Sequence, residues 1–424
     1  MTTTPPHEML FDYDNLATEI CGIRFENPFV LAASPCTDEL DIVSRGLEKG
    51  WAGAVLKTTS VEGTRVDLAY PMMTSLDHAD RRLVGMGNID LISAYHIDVI
   101  EKRVRTLKRR FPTKVVIASI MGTEKGDWQR LVRRLERAGA DMIECSFSCP
   151  QGSMGEDAGK MLAQSVEATE KVARWVKEAA RRIPVAIKIS PQVTDIVAVA
   201  RALERAGVDA ITASNSVPAL MGVDIETFVP YPSLGRRSTY SGLTGPAIKP
   251  ITLRTLAEIA RSVPLPILGT GGASSWRDAV EFMALGARMV QFCTAPMHYG
   301  FRIIDDLKSG LSLYLRRKKL SGPADLVGKA LSHIGSHDDL PRYEVRARVV
   351  EERCIGCGLC HVACRDGGHQ AIEWSEERLP RVDEETCVGC GLCTSVRPVD
   401  GCIVMEVKGR GRVRCGPEPR RRDP

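Results

Sequence analysis

Several features that mark membrane, secreted and nucleic-acid-binding proteins are missing from this sequence of 424 residues. No stretch approaches 18 uninterrupted apolar residues, so a transmembrane helix is not expected. Residues 1–6 lack the basic-then-apolar pattern of a secretory signal. The formal net charge of +4 is too small to predict nucleic-acid binding. The sequence therefore predicts a cytoplasmic protein in which the 14 cysteines stay reduced.

Two runs in the last quarter of the chain contain seven closely spaced cysteines: Cys354, Cys357, Cys360 and Cys364, then Cys387, Cys390 and Cys393. In the C-x2-C-x2-C-x3-C spacing of the first run, three thiolates bind one iron–sulfur cluster and the fourth binds a neighbouring cluster. A structural zinc site or a set of disulfides is the alternative, which two tandem runs with this spacing disfavour. We therefore expect two iron–sulfur clusters and one-electron transfer.

The second run departs from the repeat at its fourth place, where Arg397 stands before Pro398. In the crossed ligation pattern, Cys364 joins the second run and completes one four-iron cluster. The first three cysteines then lack a fourth thiolate. We expect their site to hold a three-iron cluster, a four-iron cluster with a non-cysteine ligand, or a cluster that recruits Cys402.

Eight short β-rich segments alternate with helix-length segments: residues 29–34, 53–58, 114–121, 142–148, 185–190, 210–215, 266–272 and 289–295. Their nearly continuous apolar character is typical of parallel strands buried on both faces. Eight such units within residues 20–310 predict a closed (β/α)8 barrel with its active site at the carboxyl ends of the strands. An open doubly wound sheet is the competing fold, but no G-x-G-x-x-G follows the first segment.

Polar and small residues cluster at the predicted strand ends: Lys57, Thr58, Ser146, Lys188, Asn215, Ser216, Thr270, Gly271, Gly272, Cys293 and Thr294. Barrels of this kind bind phosphate at the ends of strands seven and eight through backbone N–H groups. A phosphate there, with the two lysines, predicts FMN across the barrel mouth, because a fixed cation stabilises reduced flavin. Tight turns for the glycines and solvated strand ends for the lysines are the structural alternatives.

Ordered motifs then reveal a resemblance: Asn27-Pro28-Phe29, Leu56-Lys57-Thr58, Ile117-Ala118-Ser119-Ile120-Met121, Ser148-Cys149-Pro150, Thr239-Tyr240-Ser241-Gly242, Gly242-Leu243-Thr244-Gly245 and Thr270-Gly271-Gly272. With the cysteine runs, they make residues 20–408 resemble the FMN and iron–sulfur half of dihydropyrimidine dehydrogenases. In the bacterial two-subunit form this half is the catalytic subunit. The barrel is also similar to the dihydroorotate dehydrogenases.

The resemblance implies contacts to FMN from Ala33, Lys57, Thr58, Lys188, Gly245, Thr270, Gly271, Gly272, Cys293 and Thr294. It implies substrate contacts from Asn88, Asn215 and Ser216, and from Ser146 where the family has an asparagine. It makes Cys149 the acid/base that protonates C5 of a pyrimidine while FMN N5 passes a hydride to C6. A small buried thiol is the alternative interpretation of Cys149.

Ser146 and Ser216 depart from the asparagine and threonine of the family, which leaves uracil and a larger or differently substituted ring as alternative substrates. Because the chain has no dinucleotide fingerprint, we expect a partner subunit with FAD and a nicotinamide site, or a ferredoxin, to exchange its electrons.

We also expect an oligomer. A dihydroorotate dehydrogenase and a non-catalytic electron carrier are the alternative functions. We expect His298 to be a surface or packing residue.

The sequence predicts five segments: an arm at residues 1–19, the barrel at 20–310, a helical linker at 311–345, a two-cluster ferredoxin-like domain at 346–408, and a basic disordered tail at 409–424. The tail is rich in Gly, Pro and Arg, which favours a solvated, unfolded segment.

Overall fold

The computed structural model of the chain describes residues 13–64, 66–77, 83–147, 162–408 and 411–413. The chain divides into two compact units, Met1–Ile334 and Gly335–Pro424. Within the described ranges, no helix has both the length and the apolar character needed to cross a membrane.

Eight parallel strands of the first unit close into a barrel, as the alternating pattern predicts: Phe29–Leu31, Gly53–Thr59, Val115–Ile120, Met142–Ser146, Val185–Lys188, Ala210–Ala213, Ile267–Thr270 and Ala287–Phe292. We number them barrel strands one to eight in this order. Each pairs with the next along the chain, and strand eight pairs with strand one through Val290↔Phe29. The predicted fold class is confirmed.

Several barrel strands end earlier than the sequence predicts. Strand eight was expected to continue to residue 295, but it stops at Phe292, and the short helix Thr294–Tyr299 begins almost at once. Pro296 lies in the first turn of that helix, where its missing N–H is tolerated. Apolar and β-branched residues at the rim therefore resemble strand in sequence, although they already belong to the connection that leaves the barrel.

Nine helices are described in the first unit: Leu40–Lys49, Ile97–Arg110, Lys125–Ala138, Val166–Ala179, Ile196–Arg205, Lys249–Ser262, Trp276–Ala284, Thr294–Tyr299 and Ile303–Lys318. Side-chain caps mark the start of some of them. Ser165, for example, accepts a hydrogen bond from Ala168 N, and Asp195 accepts one from Ala198 N. Gly139, with φ of 92°, ends the third helix in the left-handed conformation that glycine tolerates best.

The core of the first unit has two parts. The larger lies between the strands and the helices and includes Trp51, Trp128 and Phe282, all fully buried. The smaller fills the barrel interior with alternate strand residues such as Val55 and Met289. The hairpin of strands Thr18–Ile20 and Ile23–Phe25 contributes Ile20 and Phe25 to the smaller part. Full burial of each large apolar side chain contributes about 1.5–3 kcal/mol, so this core is what holds the barrel closed.

Two insertions after barrel strands two and six form an antiparallel sheet that the sequence did not predict. Its strands, in spatial order, are Val217–Ala219, Ser241–Thr244, Leu83–Asn88 and Met73–Asp77. Two short hairpins accompany it, Val223–Asp224 with Val229–Pro230 and Ser233–Leu234 with Arg237–Ser238. The sheet matters because Met86, Asn88 and Thr244 on its strands line the cavity at the barrel mouth.

The second unit contains two small antiparallel sheets and two helices: strands Val345–Val349, Ile403–Val407 and Gly411–Val413, strands Ile372–Trp374 and Pro380–Val382, and helices Leu359–Gly367 and Leu392–Ser395. Each helix begins inside one cysteine run, one residue before Cys360 or Cys393. Each run also contains two glycines with positive φ at equivalent places. These are Gly356 (63°) and Gly358 (75°), matched by Gly389 (72°) and Gly391 (82°). The repeated sequence C-x-G-C-G-L-C therefore folds into the same backbone turn twice.

Candidate functional site

A cavity of about 580 Å³ opens at the carboxyl ends of the barrel strands. This volume is typical of cofactor and small-molecule sites. All the predicted cofactor and substrate residues that the structure describes line it: Ala33, Lys57, Thr58, Asn88, Ser146, Lys188, Asn215, Ser216, Gly245, Thr270, Gly271, Gly272, Cys293 and Thr294. Their roles stay predictions, but the structure brings these residues together in one place.

Lys57, at the end of barrel strand two, is a buried cation with acidic neighbours. Its Nζ lies 3.0 Å from Asp90 Oδ1 and 3.8 Å from Asp38 Oδ2. Burial raises the pKa of the Asp90 carboxyl, although the nearby Lys57 ammonium acts in the opposite direction. Asp90 was missed from sequence because it belongs to the insertion after strand two rather than to a barrel strand end.

Lys188, at the end of barrel strand five, lies close to the fully buried carboxylate of Glu144. Its Nζ lies 3.9 Å from Oε1 of Glu144, which projects from barrel strand four and has no exposed surface. The other oxygen, Oε2, accepts hydrogen bonds from Thr212 Oγ1 at 2.9 Å and Gln291 Nε2 at 2.8 Å. Within the described ranges, Glu144 Oε1 accepts no hydrogen bond. Its negative charge is therefore compensated mainly by Lys188.

The sequence contained a signal for this group that was not used. Glu144 interrupts the otherwise apolar strand Met142–Ser146, and Gln291 interrupts Ala287–Phe292. Polar side chains in a strand buried on both faces need partners, because an unpaired buried charge is very costly. Two such interruptions could have predicted a polar group inside the barrel.

The end of barrel strand seven brings backbone close to a neighbouring helix. Gly271 and Gly272 have φ of 115° and 94°, and a Cβ at Gly272 would lie 2.6 Å from Lys249 N. A side chain there would thus be strained and would collide with backbone. Gly245, with φ of 82°, also lines the cavity. Bare backbone at these positions suits a phosphate, which backbone N–H groups can bind directly.

The predicted substrate residues lie beside the inserted sheet. Asn88 Nδ2 donates to Gly242 O at 3.0 Å, which fixes the amide and leaves its Oδ1 as an acceptor. A Cβ at Gly242 would lie 2.5 Å from Ser216 Oγ, so glycine makes room for that hydroxyl. Ser146 is 3% exposed at the end of barrel strand four. The group can therefore bind a ring with amide-like edges.

Cys149, with the rest of residues 148–161, lies outside the described residues. His298, expected to be a packing residue, lines the cavity, and burial lowers the pKa of its imidazole. Burial also raises the pKa of the Cys293 thiol. Both groups are therefore expected to be neutral at pH 7.

The cysteines of the second unit surround two small pockets. The first cysteine pocket is lined by Cys354, Cys357 and Cys360 together with Arg397 and Cys402. The second cysteine pocket is lined by Cys364, Cys387, Cys390 and Cys393. This partition agrees with the crossed pattern, in which Cys364 serves the cluster of the second run. Thiols arranged around two pockets fit two iron–sulfur clusters.

Residues 15–315 match the family described as Dihydroorotate dehydrogenase, and residues 347–405 match the family described as 4Fe-4S dicluster domain. The NAD-dependent dihydropyrimidine dehydrogenase subunit PreA of Escherichia coli K12 is 40% identical over 93% of this chain and 96% of its own length. The chloroplastic dihydropyrimidine dehydrogenase (NADP(+)) of Arabidopsis thaliana is 30% identical over 80% of this chain and 82% of its own length. The catalytic subunit of dihydroorotate dehydrogenase B (NAD(+)) from Methanothermobacter thermautotrophicus is 33% identical over 74% of this chain and 98% of its own length.

The buried carboxylate generates a first prediction. Glu144→Gln should lower the free energy of unfolding by about 1–3 kcal/mol. It removes the charge opposite Lys188, and it puts the new N–H2 group either beside that ammonium or in place of the oxygen that accepts from Thr212 and Gln291. Urea unfolding followed by tryptophan fluorescence measures this, since four of the five tryptophans belong to the first unit. Glu170→Gln, at a surface carboxylate paired with Arg174 and Arg205, is the control and should change little. Equal effects of the two changes would contradict the assigned role of Glu144.

Proposed function

This chain belongs to the dihydroorotate dehydrogenase family, and we propose the reaction that it catalyses within that family. It is an oxidoreductase acting on CH–CH bonds. We propose that it reduces, or in reverse oxidises, the C=C bond of a pyrimidine-like cyclic amide or imide, using FMN and two iron–sulfur clusters. The observation that carries the proposal is one cavity in which two buried lysines, bare glycine backbone and amide-binding side chains meet.

The residues of the cavity fit FMN. When bound, FMN supplies hydride transfer and one-electron exchange. The backbone at Gly245, Gly271 and Gly272 would hold the phosphate, as its lack of side chains allows. Lys57 and Lys188 would hold positive charge beside the flavin ring. Lys188 is suited to this because it makes no side-chain hydrogen bond to any described residue and retains its donors for a ligand.

The substrate ring would be oriented by hydrogen bonds from Asn88, Asn215 and Ser216, with Ser146 in the same cavity. Amide side chains offer both donors and an acceptor, which match the N–H and C=O groups of a cyclic imide. The serines are shorter than an asparagine or a threonine of the wider family. The pocket therefore favours a ring with an additional or larger substituent over the smallest pyrimidines.

We assign the proton transfer to Cys149. It follows Ser146, which lines the cavity, by three residues in sequence. A thiol has an ordinary pKa of about 8.5, so it can donate and accept a proton near neutral pH without a large shift. Cys149 would hold the proton that is delivered to the ring carbon.

The iron–sulfur domain would exchange single electrons with a partner. The E. coli relative is named as a subunit of an NAD-dependent enzyme. We propose that this chain likewise works with a second subunit that carries FAD and the nicotinamide site, or with a ferredoxin. We propose an oligomer as the working form.

A dihydroorotate dehydrogenase is the second candidate, because the family match and one relative carry that name. That relative covers 74% of this chain, whereas the E. coli dihydropyrimidine dehydrogenase subunit covers 93%. The longer match favours the first candidate. A non-catalytic electron carrier is the outcome to expect if no ring reacts.

An anaerobic titration tests the proposal. The purified protein is mixed with dihydropyrimidines of increasing substituent size, and separately with dihydroorotate, while the flavin absorbance is recorded. Bleaching by a dihydropyrimidine supports the proposal. Bleaching by dihydroorotate alone supports the second candidate. No bleaching by any ring would contradict both and leave the carrier function.

The assigned proton donor gives a second prediction. Cys149→Ala should slow ring turnover by about 10²–10⁴, the usual contribution of a positioned acid or base. Flavin content should be unchanged, since the thiol is not needed to hold the cofactor. Cys21→Ala, at a partly buried thiol outside the cavity, is the control. Turnover of Cys149→Ala close to that of the control would remove Cys149 from the mechanism.

Lys188 gives a third prediction. Lys188→Ala should reduce the flavin retained after dialysis and make the flavin harder to reduce, because a cation beside reduced flavin is lost. Absorbance per chain and a redox titration measure the two effects. Lys177→Ala, which removes a lysine paired with Asp209, is the matched control. Unchanged retention and potential in Lys188→Ala would contradict the placement of the flavin beside Lys188.

A further inference from the structure

The two cysteine pockets are more alike than the sequence repeat suggests. In each run the first three cysteines share the same glycine turns, and a helix begins directly before the third cysteine. The second cysteine pocket gains its fourth thiol from Cys364. The first cysteine pocket also has a fourth thiol, because Cys402 lines it together with Cys354, Cys357 and Cys360. Four thiols per pocket is the number that a four-iron cluster requires.

Arg397 occupies the regular place of the missing ligand but cannot replace it. A guanidinium has only N–H donors and stays protonated, so it cannot bond to iron. Its Nη1 donates to Thr394 O, and its Nη2 lies 4.0 Å from Asp400 Oδ1. Its Nε is buried and, among the residues that the structure describes, has no acceptor. The side chain thus places positive charge and an unused donor at the first cysteine pocket.

Cys402 is held at this pocket by its backbone. It stands directly before strand Ile403–Val407, and Val350 N donates to its carbonyl at 2.8 Å. Its own N–H donates to Val399 O at 3.4 Å. The residue is only 9% exposed. The sheet therefore fixes a thiol at the wall of the pocket without help from a bound group.

We propose that Cys402 is the fourth protein ligand of the cluster held by Cys354, Cys357 and Cys360. The thiol loses its proton to solvent as the sulfur–iron bond forms and a solvent-derived ligand leaves, with no change in oxidation state. A buried thiolate is a better ligand for such a cluster than water. The inference rests on the iron–sulfur part of the proposed function and is independent of the ring substrate.

Spectroscopy of the anaerobically purified, full-length protein tests the ligand. Mössbauer spectra and iron analysis of the wild type should show two four-iron clusters, or about eight iron atoms per chain. Cys402→Ala should lose about one iron atom on mild oxidation and give one three-iron signal in electron paramagnetic resonance. Cys21→Ala, a change of a thiol in the other unit, should behave as the wild type. The double variant Arg397→Cys/Cys402→Ala should recover both four-iron clusters.

Three results would overturn the inference. One is a three-iron cluster in the wild type before oxidation, and another is a Cys402→Ala protein whose clusters resist oxidation as the wild type does. The third result comes from the double variant, which is also the test if Cys402→Ala cannot be purified. If a thiol at position 397 does not restore the four-iron cluster, then it does not replace Cys402 as a ligand. Two intact clusters in a protein that no ring reduces would support this inference and contradict only the ring chemistry.

Discussion

Closure of eight parallel strands is the constraint on which the site depends. Because every strand pairs in parallel with its neighbour, all the carboxyl ends meet at one rim. Lys57, Lys188 and Thr270 are far apart in sequence, yet closure brings them to one cavity. The rim is also where the two insertions leave the barrel, so the inserted sheet covers the cavity rather than another face. The position of the cavity follows from this one topological fact.

Buried charge inside the barrel is the second feature that determines the character of the cavity. The two lysines have different environments: Nζ of Lys57 lies 3.0 Å from Asp90 Oδ1, whereas Nζ of Lys188 lies 3.9 Å from Glu144 Oε1. Burying an ion pair costs several kcal/mol per ion before the attraction offsets it, so such pairs add little to stability. We infer that they serve to hold fixed charge beside the cofactor. Lys57 would then be largely neutralised, while Lys188 would present more of its charge to a ligand.

The two pockets of the second unit are formed by a repeated cysteine run that departs from the repeat at one position. Positive φ at paired glycines lets each cysteine run fold around its own pocket. The exception is Arg397, which puts a permanent cation where a thiol is expected from the repeat. The sheet pair Val349↔Ile403 sets the neighbouring thiol of Cys402 in the same pocket. The repeat thus lacks a cysteine at position 397, and the fold brings another cysteine, Cys402, to the same pocket.

Local patterns determined much of this protein. Continuous apolar strands, polar strand ends and cysteine spacing were sufficient for the barrel, the strand-end residues of its cavity and the cysteines of the two pockets, because each depends on short-range periodicity or on parallel topology. The cavity residues Ala33, Asn88 and Gly245 came only from the family resemblance. The inserted sheet, the ion pair of Asp90 with Lys57 and the partners of Glu144 required tertiary structure. Their partners lie on different elements, and no spacing within one segment encodes such a contact. For the same reason, the sequence left three alternatives for the cluster bound by Cys354, Cys357 and Cys360 and for its fourth ligand. The fold places Cys402 in the same pocket as these three cysteines.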